Sequence, residues 1–181
     1  MESKELDLDV ARLVDTVTIL SEDVRYAAGL SKIEDTQFAR RAYVRAVFAL
    51  VEGNINLMVD VILRAYARDE IELSSDEIAP LREESYELSE QGKAVIKPRF
   101  YSFQSRLRFV LGLFPRLYDG SHSVDVSGQG WNQFKEAIQL RNRITHPRDK
   151  NSFYVTDKEL NTVEHARTWF ADSIEKLLDK C

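Results

Sequence analysis

The chain is 181 residues long, 44% hydrophobic, with a formal net charge of −5 and one cysteine, Cys181. Length and apolar content point to a single domain over 1–181 with a real core rather than to disorder. The acidic balance speaks against a broad basic surface for indiscriminate nucleic-acid binding, though it leaves room for a local basic cleft.

A lone cysteine builds neither a disulfide framework nor a Cys-based metal site, and it fits a reducing cytoplasm. The acidic start, "MESKELDLDV", lacks the basic residues and apolar stretch of a signal peptide. No apolar run approaches the roughly 18 residues of a membrane span. The expectation is a soluble cytoplasmic protein with no membrane partner. Seven glycines and four prolines are few for a hairpin-rich fold and ordinary for a helical one.

Helical periodicity appears first from about Asp7 to Ala28, where Leu6, Val10, Leu13, Val14, Val17 and Leu20 recur three or four apart, with Gly29 placed to end the helix. A second, longest helix is expected from about Asp35 to Arg68. Its apolar face carries Tyr43, Val47, Leu50, Val51, Met58, Val61 and Ala65, and Asn54 falls in the middle of it. An unpaired amide in a core costs roughly 1–3 kcal/mol, so Asn54 needs a partner. On the opposite side Arg41, Arg45, Glu52 and Asn56 form a polar stripe. Either Asn54 bonds a neighbouring helix and the stripe is solvated, or one of these residues reaches the polar cluster described below.

A weaker, charged helix is expected over roughly Ser75 to Glu90, capped by Ser75 or Asp76, with "EQGKAVIKP" as the loop after it. "RFYSFQSRLRFVLGLF" reads as a further helix closed by Pro115, and "DGSHSVDVSGQG" as the longest loop. A helix opening near Trp131 carries Phe134, Ala137 and Ile138 inward, and a final one from about Asp157 to Leu178 closes the chain with Val163, Ala166, Phe170, Ile174 and Leu177 on one face. Strand patterns are scarce. The expected fold is an all-α bundle of about five main helices, with its core over about 7–178.

Most candidate chemistry can be set aside. No two of His122, His146 and His165 lie at i, i+3 or i, i+4, and none joins a carboxylate in a compact ligand pattern, so neither a metal site nor a cofactor is expected. "SGQG" has neither the length nor the lysine of a phosphate-binding loop. His165, mid-helix beside Glu164, reads as a surface histidine. Lys93, Lys97, Arg99, Arg106 and Arg108 interleave with Phe100, Tyr101 and Phe103 as in RNA-binding segments, although aromatics at that spacing more often pack in a core.

What remains is "LRNRITHPRD", residues 140–149. Pro147 disfavours the α conformation at His146, so the helix should stop there and free the ring to swing across its end. Asn142 lies one turn earlier on nearly the same face, and Arg141 lies closer to the apolar stripe, where burial without an anionic partner is costly. A fixed cation, a titratable acid/base and an orienting amide suit cleavage of RNA by its own 2′-hydroxyl. Histidine transfers protons near neutral pH, arginine holds phosphate through a planar fork, and no metal is required. On spacing alone, a capping histidine and an arginine paired to a carboxylate are the simpler account.

Arg141-Asn142-x-x-x-His146 resembles the signature of the HEPN superfamily (higher eukaryotes and prokaryotes nucleotide-binding domains), small all-α bundles carrying R-x4–6-H with a polar residue after the arginine. The helix layout over roughly residues 7–178 is similar too. The resemblance implies a metal-independent endoribonuclease of toxin–antitoxin, antiphage or RNA-processing systems. It implies RNA as substrate, a homodimer with two motifs lining one cleft, and an antitoxin or regulatory protein as further partner. Arg141 and His146 would be catalytic; Asn142, Arg148, Asn54 and Glu52 are the supporting or substrate-binding candidates. Pro147-Arg148 replaces the H-x-Y extension of toxins silenced by tyrosine modification, which speaks against an antitoxin of that kind. A looser likeness, "RAVFALVEGNINLMVDVIL" followed by "SRLRFVLGL", is to the mannitol-operon repressor family and implies a non-catalytic regulatory module.

Overall fold

A computed structural model describes residues 4–118 and 123–178. Its six α-helices are α1 (Lys4–Glu34), α2 (Gln37–Ala67), α3 (Ser75–Leu81), α4 (Phe103–Leu113), α5 (Gln129–Thr145) and α6 (Asp157–Leu178). One antiparallel hairpin, β1 (Glu84–Leu88) and β2 (Ala94–Pro98), projects between α3 and α4, and 3-10 turns follow α4 and α5. The fold is an all-α bundle with this one small sheet.

α2 is the axis on which the bundle assembles. Thr36 caps it, its hydroxyl accepting from the Ala39 amide at 3.1 Å. Tyr43, Val47, Leu50, Val51, Met58, Val61 and Ala65 are all buried, as periodicity predicts, and so are Val44, Phe48, Ile55 and Ile62. Burial on more than one side makes the helix unusually apolar. An 18-residue window of mean hydropathy 1.7 is long and apolar enough to cross a membrane by composition, which corrects the expectation that no such run exists; 56% of it is buried within the fold.

α1 passes through Gly29 instead of ending there. A Cβ at Gly29 would meet nothing within 4 Å, and the helix continues to Glu34 because Ala27 and Ser31 on either side are buried. A mid-helix glycine costs only about 1 kcal/mol, less than such packing returns. The stop comes at Asp35, whose φ is 41°. Val14, placed on the inner face by periodicity, is 43% exposed.

Near its start α1 is held to α2 by Asp9, a carboxylate only 6% exposed. Arg68 Nη1 donates to its Oδ2 at 2.8 Å, Arg64 to Oδ1 at 3.3 Å, and Arg12 lies 3.4 Å away. Asp9→Asn keeps the shape but removes the charge these guanidiniums converge on. The expected loss is about 1.5–3 kcal/mol of stability, the usual worth of hydrogen bonds to a charged group. A urea melt followed by helical circular dichroism measures it, and an unchanged midpoint would show the network to be ornamental.

The region between α3 and α4 differs most from the sequence reading. α3 is a short helix opened by a Ser74–Glu77 capping box, so the N-cap is Ser74 and not Ser75 or Asp76, and Glu83, at φ 54°, ends it at residue 81 instead of 90. "ESYEL" and "AVIKP" then pair as strands with Tyr86 opposite Ile96, and Gly92 at φ 72° sits in the turn. α4 begins at Phe103, where Ser102 accepts from the Ser105 amide at 3.1 Å; Pro115 lies within the 3-10 turn Phe114–Leu117 that follows. Residues 119–122 of the expected long loop, His122 among them, lie outside the described residues.

Aromatic packing fixes α5. Phe134 is 1% exposed and lies 5.1–6.5 Å, centroid to centroid, from Phe48 of α2, Phe103 of α4, Trp131 of α5 itself, and Trp169 and Phe170 of α6. Gly130 permits this closeness: a Cβ there would sit 2.3 Å from Trp169 Cδ1.

Candidate functional site

α5 delivers the arginine–histidine motif to the surface. Leu140 and Ile144 are buried, which fixes the rotation of its last turn. The helix stops at His146, with φ −121° and ψ 67°, as the following proline requires. The His146 amide still donates to Asn142 O at 2.9 Å, so the backbone end is capped without the side chain. The His146 ring is exposed and hydrogen-bonds no described residue.

Arg141 is 26% exposed at its side chain, and its Nη2 forms an ion pair with Glu52 Oε1 of α2, itself 36% exposed. Its Nη1 donates to Asn142 Oδ1 at 3.1 Å. Arg141, Asn142 and Glu52 therefore meet, with the guanidinium oriented by one carboxylate and one amide and still open to solvent. Thr145 Oγ1 donates to Arg141 O at 2.7 Å and closes the last turn.

The motif's second arginine has another task. Arg143 Nη2 donates to Tyr154 O at 2.6 Å, and Nη1 lies 2.8 Å from Glu159 of α6. Burial pushes the Glu159 carboxyl up, but the Thr156 amide and Arg143 outweigh it and hold it below its ordinary value. Beyond Pro147, Asp149 caps the turn Lys150–Phe153, accepting from the Ser152 amide at 2.9 Å. Arg148 is exposed; its backbone amide donates to Ser152 Oγ at 3.2 Å, and its side chain bonds no described residue.

Of the two accounts of the α2 polar residues, the second holds, because Glu52 of the stripe reaches Arg141, while Asn54 itself bonds no neighbouring helix through its Oδ1. It is 2% exposed and its Oδ1 has no hydrogen-bond partner among the described residues, although Glu52 two positions earlier reaches the motif. Two residues on a helix are about 200° apart, so Asn54 turns inward where Glu52 turns outward. The stripe is largely engaged rather than solvated. Arg41 donates to Phe153 O at 3.0 Å, and Asn56 accepts from Arg106 Nη1 of α4 at 2.7 Å. Arg45, on the same stripe between Arg41 and Glu52, is exposed and unpaired among the described residues.

His165 is exposed, as expected, with Gln133 Nε2 3.2 Å from its Nδ1. Among the described residues no three His, Cys, Asp or Glu side chains cluster as metal ligands would. Helical phase makes Glu52 a candidate from sequence alone; the partners of Arg143 and Arg106 are long-range contacts with no local signal. The site thus offers a surface-facing, carboxylate-oriented guanidinium on α5 and, at the end of the same helix, an exposed imidazole that bonds no described residue. No family model, no curated protein and no solved structure matches this chain.

Proposed function

We propose that the chain is a metal-independent endoribonuclease that cuts RNA by attack of a 2′-hydroxyl on the adjacent phosphate. The observation that carries this reading is the pairing of Arg141 with Glu52 at an open surface, with an exposed His146 five residues on, at the end of the same helix, whose ring bonds no described residue. A structural arginine needs the carboxylate; it does not need a free imidazole at the end of its helix.

In the proposed step His146 takes the 2′-hydroxyl proton as that oxygen attacks phosphorus. The 5′-oxygen leaves and takes a proton from a second acid. Arg141 offers its remaining N–H groups to the non-bridging oxygens, where negative charge grows in the transition state. One chain supplies one such histidine, so the second acid comes from the same motif in a two-fold copy, and the active form is a homodimer. A cytoplasmic toxin–antitoxin or antiphage role is the setting this chemistry suits.

Purified protein should cleave RNA in EDTA and leave a 2′,3′-cyclic phosphate and a 5′-hydroxyl. A substrate with 2′-deoxyribose at the cut should resist. Arg141→Lys should slow cleavage about 10–100-fold, because lysine keeps the charge but loses the fork. Products bearing a 5′-phosphate would overturn the mechanism. Light scattering showing a monomer at micromolar concentration would overturn the shared site.

A second reading has its own support. The Glu52–Arg141 pair is also what a purely structural tie between α2 and α5 looks like, and it fits a non-catalytic regulatory module. That reading leads if the protein cuts no RNA under any condition tested.

A further inference from the structure

The aromatic and basic run after the hairpin plays no part in the proposed cleavage step. Tyr101, Ser105, Arg106, Phe109 and Pro80 line a hollow of about 210 Å³ between the end of β2 and α4. Its walls are held from behind. The Arg99 amide donates to Glu83 O at 2.7 Å, and the Arg99 guanidinium lies 5.3 Å from the centre of the Tyr101 ring. Ser102 and Ser105 share a hydrogen bond of 2.7 Å between their hydroxyls. Phe100, between the two anchored residues, is 87% exposed.

Arg106 connects this hollow to the motif. Its Nη1 reaches Asn56 Oδ1 at 2.7 Å and its Nε lies 3.5 Å from Glu83 Oε1. Asn56 follows Glu52 by one turn of α2, and Glu52 holds Arg141. Glu52 and Asn56 thus lie one turn apart on the polar side of α2, the first holding Arg141 and the second holding Arg106, which lines the hollow with Tyr101. Glu52 faces Arg141 and Glu83 faces Arg106, so neither carboxylate opposes a passing phosphate with its full charge. Arg99 pairs with no carboxylate among the described residues.

We propose that this hollow receives one unpaired nucleobase of the RNA strand whose phosphate lies at Arg141, an inference that rests on the ribonuclease reading above. A base has a flat π face that suits a tyrosine ring and a guanidinium plane, and polar edges that suit the Ser105 hydroxyl. Phe109 and Pro80 make the floor apolar, which favours a base over a phosphate. A paired base is already stacked and cannot enter, so the pocket selects single strands or loops.

The test uses His146→Ala protein, which binds without cutting, and a labelled, unstructured 12-nucleotide RNA whose cut site has been mapped with wild-type protein. Copies carrying one abasic site at each position, and a blunt duplex of the same sequence, complete the set. One abasic position at a fixed distance from the cut should weaken binding roughly 5–150-fold, the usual range for losing one base–aromatic stack. Tyr101→Ala should weaken binding of the intact strand to the same extent and remove the abasic effect, while Tyr101→Phe restores both.

An affinity and abasic profile indifferent to Tyr101→Ala overturns the pocket, as does a duplex bound as tightly as the single strand; wild-type cleavage would leave the nuclease reading standing. A Tyr101-dependent profile on RNA that wild-type protein never cuts keeps the pocket and removes the nuclease. Absence of RNA binding removes both.

Discussion

His146→Ala should lower the rate of RNA cleavage by roughly 10²–10⁴, the range general acid–base catalysis contributes, and leave the fold untouched. The second half of that expectation follows from the helix end. The cap on α5 is the backbone bond from the His146 amide to Asn142 O, which alanine keeps, and Pro147 still stops the helix. The ring makes no bond whose loss would unfold anything. An equal fall in activity and in melting temperature would therefore point to a structural histidine and count against catalysis. Asn142→Ala should do less harm, since that amide only steadies Arg141 from 3.1 Å and Glu52 still holds the guanidinium. If His146→Ala cuts as fast as wild type, the imidazole has no part in the chemistry, and the regulatory reading takes over.

The motif was legible in the sequence because each part of it is local. Pro147 ends a helix wherever it stands, so the release of His146 needs no tertiary information. The cost of burying Arg141 alone calls for a carboxylate, and the phase of α2 puts Glu52 on its polar side. Which neighbour the α2 stripe would meet was open until α4 and α5 were placed against it. The hairpin was not legible for a different reason. Few glycines argue against many hairpins, but one hairpin needs one turn, and Gly92 supplies it. The alternation in "SYEL" is only four residues long and "AVIK" does not alternate, while the charged α3 before them extends the helical pattern by chance. Gly29 misled in the opposite sense, because packing at Ala27 and Ser31 outweighs its weak helix propensity. Periodicity puts Asn54 in the core, where it lies, yet its Oδ1 has no hydrogen-bond partner among the described residues.

Phe134→Ala should be the most damaging single substitution for stability, at about 3–5 kcal/mol. The side chain is 1% exposed and sits among five aromatic rings drawn from α2, α4, α5 and α6, so the void opens where four helices meet. Large planar neighbours fill such a void poorly, which places the cost toward the upper end. Against a total stability of about 5–15 kcal/mol for a domain, the variant should unfold at markedly lower urea. Phe134→Leu fills most of the volume and should lose less than half as much. The effect should also reach the motif. Phe134 precedes Arg141 by seven residues, two turns on nearly the same face, so it sets the depth and rotation at which α5 meets Glu52. Cleavage by Phe134→Leu, measured where the variant is still fully folded, should therefore fall in rate. A loss below about 1 kcal/mol for Phe134→Ala, well under the usual cost of such a cavity, would mean that the aromatic cluster does not position α5. The approach of Arg141 to Glu52 would then depend on Leu140 and Ile144 alone.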